Sequence, residues 1–444
     1  MRVKCSKQLI VLPVTTVVMT VFMYFIFLFN SFHDLKVPKM EPTTRRTKPL
    51  AQEATMVEIF PDWTTDDPHD AVPVKRVYLY SATLTIHHTP PNGSHIRLTA
   101  FQEKRVGQLT CCLRRHGSAT VTAPAPIIHS LDDPDNVNDT KKVFAVVYQC
   151  HVPFSPLELT GACVTVTPDP ACPVEDNYYI PVYTPEVVKG GLAICGKVAF
   201  GSLLDPLKLV EWFEMQRLLG VDKIQILDFG NPENVSRVFE YYQNTGLLSF
   251  FPYKLPGRPW GRGFTDETRV LDQLPQDENF PFLECRLRLA GYDYVMSIDM
   301  DEIILPRKMK LLKPFFQDIF SRDPQLAGAY FQVQFFVEEF GPVDKDAPLH
   351  VLRYLKSTPA LWECQKYTYI PARTNHVSTH EFEPYPGYSQ SEVDSEEAVI
   401  HHYRKCSHKW HHCPPPDHIT DRSITRFQTD LVPRVKDVLS KLRL

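Results

Sequence analysis

Tyr292-Asp-Tyr-Val-Met-Ser-Ile-Asp-Met-Asp-Glu-Ile-Ile-Leu-Pro306 is the stretch from which the fold can be read. Tyr294 to Ile298 is short, apolar and partly β-branched, the pattern of a buried strand. It runs into acid at Asp299, Asp301 and Glu302. Alternation along a strand puts Asp299 and Asp301 on one face, with Met300 and Glu302 on the other. Two carboxylates at the end of a buried strand repel each other and lose hydration, and a divalent cation removes both penalties. Ligands of an open α/β sheet bind beyond the carboxyl ends of its strands. The expectation is that Asp299 and Asp301 hold a metal, which in turn holds a nucleotide diphosphate.

The flanking segments extend this pattern. Leu192–Phe200, Lys223–Asp228 and Leu248–Tyr253 read as strands. Between them, Asp205 to Leu219 carries Leu209, Val210, Trp212, Phe213, Met215 and Leu218 near helical spacing, with Gly220 as its stop. Asn231-Pro-Glu-Asn opens a helix through Tyr242, and Phe280–Ala290 is a helix ended by Gly291. This βαβαβ…αβ order predicts a mostly parallel sheet wrapped by helices. Further on come a helix at Leu311–Phe320, strands at Ala329–Phe336, Lys366–Pro371, Val377–His380 and Ala398–Arg404, and an amphipathic helix at Leu431–Leu442. The chain has no Gly-x-Gly-x-x-Gly and no Walker loop, so phosphates lack a glycine cradle and need another source of positive charge.

Upstream, Arg76 to about Tyr183 breaks into short β-like runs at Val77–Ser81, His95–Phe101, Gln108–Leu113, Ala119–Ala123, Lys142–Tyr148 and Ala162–Val166. Pro, Asn, Gly and Asp clusters separate them, which predicts a small β-sandwich. Before it, Ser31 to about Lys75 is rich in Pro, Thr and charge, the composition of a flexible stem. Leu9 to Phe29 has no charged residue and about the ~20 residues that a membrane helix needs. Arg2, Lys4 and Lys7 precede it, which leaves the short end in the cytosol. Its apolar core exceeds the roughly 7–15 residues of a cleaved signal peptide, so a retained signal anchor is expected. Sequons at Asn92, Asn138 and Asn234 agree with a luminal body. So do ten cysteines beyond Cys5, an even number in an oxidising compartment. Candidate bridges are Cys111 or Cys112 with Cys150, Cys163 with Cys172, and Cys406 with Cys413. A zinc reading of the histidines between His401 and Cys413 gives way to that last bridge. A net charge of -4 over 444 residues gives no basis for a nucleic-acid partner.

These motifs carry a resemblance. Val77-Tyr-Leu-Tyr-Ser-Ala82, Cys195-Gly-Lys-Val198, Glu211-Trp-Phe-Glu214 with Gly220, Ile224-Gln-Ile-Leu-Asp228, Tyr241-Tyr242 with Gly246, Asp299-Met-Asp-Glu302 and His401-His-Tyr-Arg404 follow in this order. In that order the chain resembles glycosyltransferase family 92 from about Arg76 to its C-terminus. The resemblance implies a type II Golgi membrane enzyme with a GT-A-like α/β fold. It would move galactose from UDP-galactose, with inversion, onto a glycan acceptor, making β1,4 linkages to galactose or fucose. The chain then divides into a cytosolic tail (1–8), a transmembrane anchor (9–32), a stem (33–75), a β-rich accessory domain (76–185) and a GT-A-like catalytic domain (186–444). One departure is visible: Glu284-Cys285 stands where the family pattern leads one to expect Asp-Cys.

Such chemistry needs an oxygen-liganded ion, manganese or magnesium, as Lewis acid on the leaving diphosphate. Asp301 is the first choice as ligand. Asp299 either binds the ion as well or contacts the ribose, and His380 and His402 are candidates for a further ligand. Arg404 and Lys366 are candidates for phosphate contacts, and Asp228 for the ribose or base. Inversion needs a carboxylate base, for which Glu338, Glu339, Asp344 and Glu363 are candidates. Two other readings of the acidic cluster are a metal-dependent hydrolase of glycosides or phosphoesters and a non-catalytic luminal lectin or scaffold.

Overall fold

Helix α1 (Pro206–Leu218) shows how local chemistry sets the fold. Asp205 caps it by accepting from the Leu207 N–H at 2.9 Å, with Pro206 in the first turn, where its missing N–H costs nothing. Gly220 ends it at φ +89°, a conformation that favours glycine. The computed structural model describes residues 57–59 and 76–444, apart from 104–106, 116–117, 133–142, 169–170, 200–203, 257–273, 407–413 and 415–416. The expected anchor, most of the stem, Asn138 and Cys413 lie outside the described residues. Among the described residues no helix is long and apolar enough to cross a membrane.

The first nine strands are β1 (Val57–Ile59), β2 (Val77–Leu84), β3 (Ser94–Glu103), β4 (Thr110–Arg114), β5 (Val121–Pro124), β6 (Ile127–Ser130), β7 (Val143–Val152), β8 (Cys163–Thr167) and β9 (Ile180–Tyr183). They hydrogen-bond in the order β5-β4-β8-β9-β2-β3-β7-β6, with β1 on β2. The β4–β8 end folds over the β3–β7 end, since Leu113 and Val164 share one core with Leu98 and Phe144. A Cys111–Cys150 disulfide ties β4 to β7 across that core. The expected Cys163–Cys172 bridge is corrected: Cys172 pairs with Cys112, and Cys163 is a free thiol.

The second sheet follows β10 (Val188–Ala199), β11 (Lys223–Asp228), β12 (Leu248–Pro252), β13 (Tyr292–Ser297), β14 (Glu302–Pro306) and β15 (Leu326–Val337). After the two-residue β16 (Lys356–Ser357) come β17 (Leu361–Tyr369), β18 (Thr374–Val377), β19 (Phe382–Pro384), β20 (Ser389–Val393), β21 (Ala398–Arg404) and β22 (Ile419–Thr420). The sheet order is β12-β11-β10-β13-β17-β15-β21-β14, with β20 on β15; β16 pairs with β22, and β18 with β19. Only the β12-β11-β10-β13 half is wholly parallel. β17 runs antiparallel to both β13 and β15, and β14 antiparallel to β21, while β15 runs parallel to β20 and β21, so the sheet is mixed with parallel pairings in the majority. Its helices are α1, α2 (Glu233–Asn244), α3 (Leu274–Arg288), α4 (Leu312–Ser321), the short α5 (His350–Arg353) and α6 (Gln428–Leu442).

Helix α3 joins the two sheets. Phe280, Leu283 and Leu287 pack in one buried cluster with Tyr80, Phe101 and Val147 of the first sheet and Leu227 and Phe229 of the second. Glu284 points into that seam, accepting from Ser81 Oγ at 2.6 Å and Thr99 Oγ1 at 2.7 Å while pairing with Arg288. Glu284 thus sits between the two sheets. Its neighbour Cys285 is bonded to Cys195 on β10. Gly291 follows because a Cβ there would lie 2.0 Å from the Glu186 carbonyl oxygen.

Candidate active site

The acidic stretch turns sooner than alternation predicts. β13 ends at Ser297, residues 299–301 form a turn, and β14 starts at Glu302 on the far edge of the sheet. The turn closes with the Glu302 N–H donating to the Asp299 carbonyl at 3.1 Å. Glu302 is buried, and its Oε2 accepts the Asp299 N–H at 2.8 Å. From α1, Trp212 Nε1 donates to the Glu302 carbonyl at 2.8 Å and pins the turn from below.

Asp299 and Asp301 both line a cavity of about 570 Å³. Its walls come from Gly196–Val198 at the end of β10, Asp205 and Lys208 at the start of α1, and Glu278 of α3. Glu338 after β15 and Tyr403–Lys405 at the end of β21 complete it. These are carboxyl ends of parallel strands, where ligands of α/β sheets bind.

The two aspartates have different surroundings. Asp299 pairs with Lys366 at 2.9 Å and with Lys197 at 3.2 Å. Burial alone would raise its carboxyl, but the two ammonium groups hold it well below the usual carboxylate range. Lys366 is buried beneath it and also faces Glu302 at 3.8 Å, and these carboxylates keep its ammonium charged despite burial. Lys366 is therefore committed to the acidic turn and is not among the cavity-lining residues.

Asp301 is half exposed to the cavity, and its Oδ2 lies 3.3 Å from His402 Nε2. Two neighbouring ligands of one octahedral ion, with bonds of ~2.1 Å, stand ~3 Å apart, so this spacing fits one ion. Behind the imidazole, Nδ1 faces Glu302 Oε1 at 3.3 Å, both atoms buried and without a formed hydrogen bond. A carboxylate at that position fixes which ring nitrogen is left for a metal. Among the described residues no three His, Cys, Asp or Glu side chains converge as a ready-made ion site. Of the expected ligands, Asp301 and His402 are the two that stand side by side. Burial would lower His402, but Asp301 and Glu302 raise it, so a proton also competes for this nitrogen.

Other expected residues separate. Arg404 and Glu338 line the cavity; Glu339, Glu363, Asp228 and His380 are not among its lining residues, and neither is His402, which reaches it only through Asp301. Asp228 Oδ1 accepts from the Gly230 N–H at 2.8 Å and Asn231 Nδ2 at 2.7 Å, so it caps its own turn. His380 Nδ1 donates to the Gln365 carbonyl at 3.0 Å, and burial lowers the ring to about 4. Glu339 accepts from the Cys406 N–H, and Glu363 is exposed on β17. Asn92 and Asn234 are exposed.

Glu338 is the base candidate that faces the cavity, held by Lys208 at 2.5 Å and His350 Nε2 at 3.0 Å. Burial would raise its carboxyl, but these two partners bring it below its ordinary value. His350 is lowered to about 4 by burial and Lys208, so its neutral ring donates the Nε2 proton to Glu338. Glu211 of α1 positions that histidine by accepting the backbone N–H groups of His350 and Val351, at 2.9 and 3.1 Å. Lys197 and Lys208 are cavity residues that periodicity does not reveal. The signal for Lys197 was its place in Cys195-Gly-Lys-Val, at a bulge in β10 where it adopts φ +57°. A non-glycine residue held there is a mark of functional constraint.

A family model described as glycosyltransferase family 92 matches residues 191–435, more than half of the chain. No curated protein matches the chain. Among solved structures, S. aureus TarS 1-349 in complex with UDP is similar at 11% identity, over 41% of this chain and 47% of that chain, with a TM-score of 0.24. A second structure of S. aureus TarS 1-349 gives 13% identity over the same shares and a TM-score of 0.22. A putative glucose-1-phosphate thymidylyltransferase from Bacillus anthracis, in complex with sucrose, gives 12% identity over 41% of this chain and 71% of that chain, with a TM-score of 0.22. The chain spans about half the length of the TarS chains, and at this level of similarity the family match alone decides the assignment. The chain belongs to glycosyltransferase family 92 and is a glycosyltransferase.

Proposed function

We propose that the protein is an inverting galactosyltransferase that moves galactose from UDP-galactose to a glycan acceptor, with β1,4 linkage. The observation that carries this reading is Asp301, on the wall of a cavity also lined by Lys197, Arg404, Lys405 and Glu338, with the buried His402 imidazole 3.3 Å behind it. Asp301 and His402 would hold a manganese or magnesium ion, which when bound supplies Lewis acidity to the leaving diphosphate. Asp299, neutralised by Lys197 and Lys366, orders the turn that presents Asp301. Lys197, Arg404 and Lys405 offer positive charge to the diphosphate. Glu338 takes the proton of the acceptor hydroxyl as that oxygen bonds to the anomeric carbon, and the bond from that carbon to the diphosphate breaks on the opposite face. We place the body in the Golgi lumen, tethered by the apolar segment 9–32 as a single-pass type II anchor.

The test is a donor-sugar panel on the purified enzyme, with and without manganese, followed by linkage analysis. Galactose transfer to galactose- or fucose-ended glycans that needs the ion is expected. Free galactose released from UDP-galactose at the same rate with and without acceptor would instead identify a hydrolase.

A further inference from the structure

The seam between the two sheets holds an electrostatic anomaly far from the proposed chemistry. Arg97 on β3 and Arg286 on α3 wall two small cavities of about 20 and 30 Å³, which also share Leu287. Arg286 donates Nε and Nη2 to the Thr374 carbonyl at 3.1 and 2.7 Å, and Nη2 to Tyr385 Oη at 3.0 Å. Arg97 donates Nε to Gln149 Oε1 at 3.3 Å. Those acceptors are neutral, and among the described residues neither guanidinium forms an ion pair. Burial foremost, together with Arg97, lowers Arg286, and the main groups that oppose this are the phenols of Tyr385 and Tyr369. Burial should raise the Tyr385 phenol, yet the two arginines bring it below its usual value. Two like charges in a poorly hydrated seam repel each other strongly when no counter-charge is present.

The seam also contains buried polar atoms with no partner. The Thr85 hydroxyl faces the 20 Å³ cavity and His129 Nε2 the 30 Å³ cavity, and neither atom makes a hydrogen bond. Buried donors in native proteins are nearly always satisfied, so an unpaired hydroxyl beside two guanidiniums signals a missing acceptor. A cavity of that size accommodates a single small sphere, a water or a monatomic anion. Water would satisfy the hydroxyl and leave both positive charges uncompensated.

We propose that a small monatomic anion of chloride's size occupies the 20 Å³ cavity, held by the guanidiniums of Arg97 and Arg286 and the hydroxyl of Thr85. It is a structural counter-ion that fastens the β-rich domain to the catalytic domain. An anion with a bulky organic group does not fit.

The test compares thermal unfolding of the full chain in non-ionic detergent at pH 7, in sodium chloride and in sodium gluconate of equal ionic strength. Chloride is expected to raise Tm by about 1–3 °C, saturably, as a ligand of the native state does. The difference should vanish in Arg97→Gln and shrink in Thr85→Val, a near-isosteric change that keeps the variant foldable. Bromide in place of chloride should give an anomalous diffraction peak between the two arginines. Equal Tm in the two salts, a chloride effect undiminished in Thr85→Val, or a seam without a bromide peak would each overturn the assignment.

Discussion

Asp299 and Asp301 are two residues apart, yet one is committed to ammonium groups and the other is open to the cavity. Asp301→Asn should therefore leave the fold intact and reduce kcat/KM by about 10²–10³-fold, the scale of losing one electrostatic contact to a transition state. Steady-state kinetics beside an unchanged unfolding curve checks this. Lys366→Met removes the cation beneath two acidic side chains and should cost about 3–5 kcal/mol in urea unfolding, as breaking a buried pair does. The double variant with Asp299→Asn should recover part of that loss. His402 is raised by its carboxylate neighbours, so in the proposed role a proton would compete with the ion for Nε2. The manganese concentration giving half-maximal rate should fall as pH rises toward 8, and a pH-independent value would remove His402 as a ligand. None of this pairing was legible in the sequence. Lys197 and Lys366 lie 102 and 67 residues from Asp299, and no local periodicity encodes a contact at that separation.

Elements were more legible than their directions. Lys223–Asp228 and Ala398–Arg404 read from sequence as the strands they are, because a short apolar run bounded by turn residues has one reading. The strands β6 and β9 were missed: Ile127-Ile-His-Ser and Ile180-Pro-Val-Tyr are too short and too interrupted to carry a period. Strand direction in the second half of the sheet depends on which long-range partner wins, which spacing does not report. Between elements, His129 of β6 and His376 of β18 stack at 3.9 Å. Burial foremost lowers them to about 4 and about 3, so both are neutral in the fold at pH 7. The unfolded chain binds more protons below pH ~6.5, so their contribution is intact above that value and is lost on acidification through about pH 4. In chloride-free buffer, Tm should drop between pH 6.5 and 4, and His129→Phe should flatten that slope.

At the scale of the molecule, the two sheets do not behave as separable modules. Phe280, Leu283 and Leu287 are buried jointly by strands from both, and residues 54–444 cluster as one compact unit. Calorimetry of the intact protein should show one cooperative transition, and a fragment starting at residue 186 should expose that apolar face and fail to stay soluble. Reducing the protein tests the same interdependence. Replacing Cys195 and Cys285 with Ala opens a loop with a sequence separation of 90, and should cost about 2–5 kcal/mol.

The position of α3 also bears on biogenesis. The sandwich leaves the ribosome before the helix that docks on it, so β3 and β7 are available as a platform when α3 arrives. The Cys195 thiol must wait for Cys285, synthesised much later, and until then it is open to mispairing with the earlier thiols. Oxidative maturation should accordingly depend on a disulfide isomerase, and pulse-labelled chains should pass through mixed-disulfide species before acquiring protease resistance.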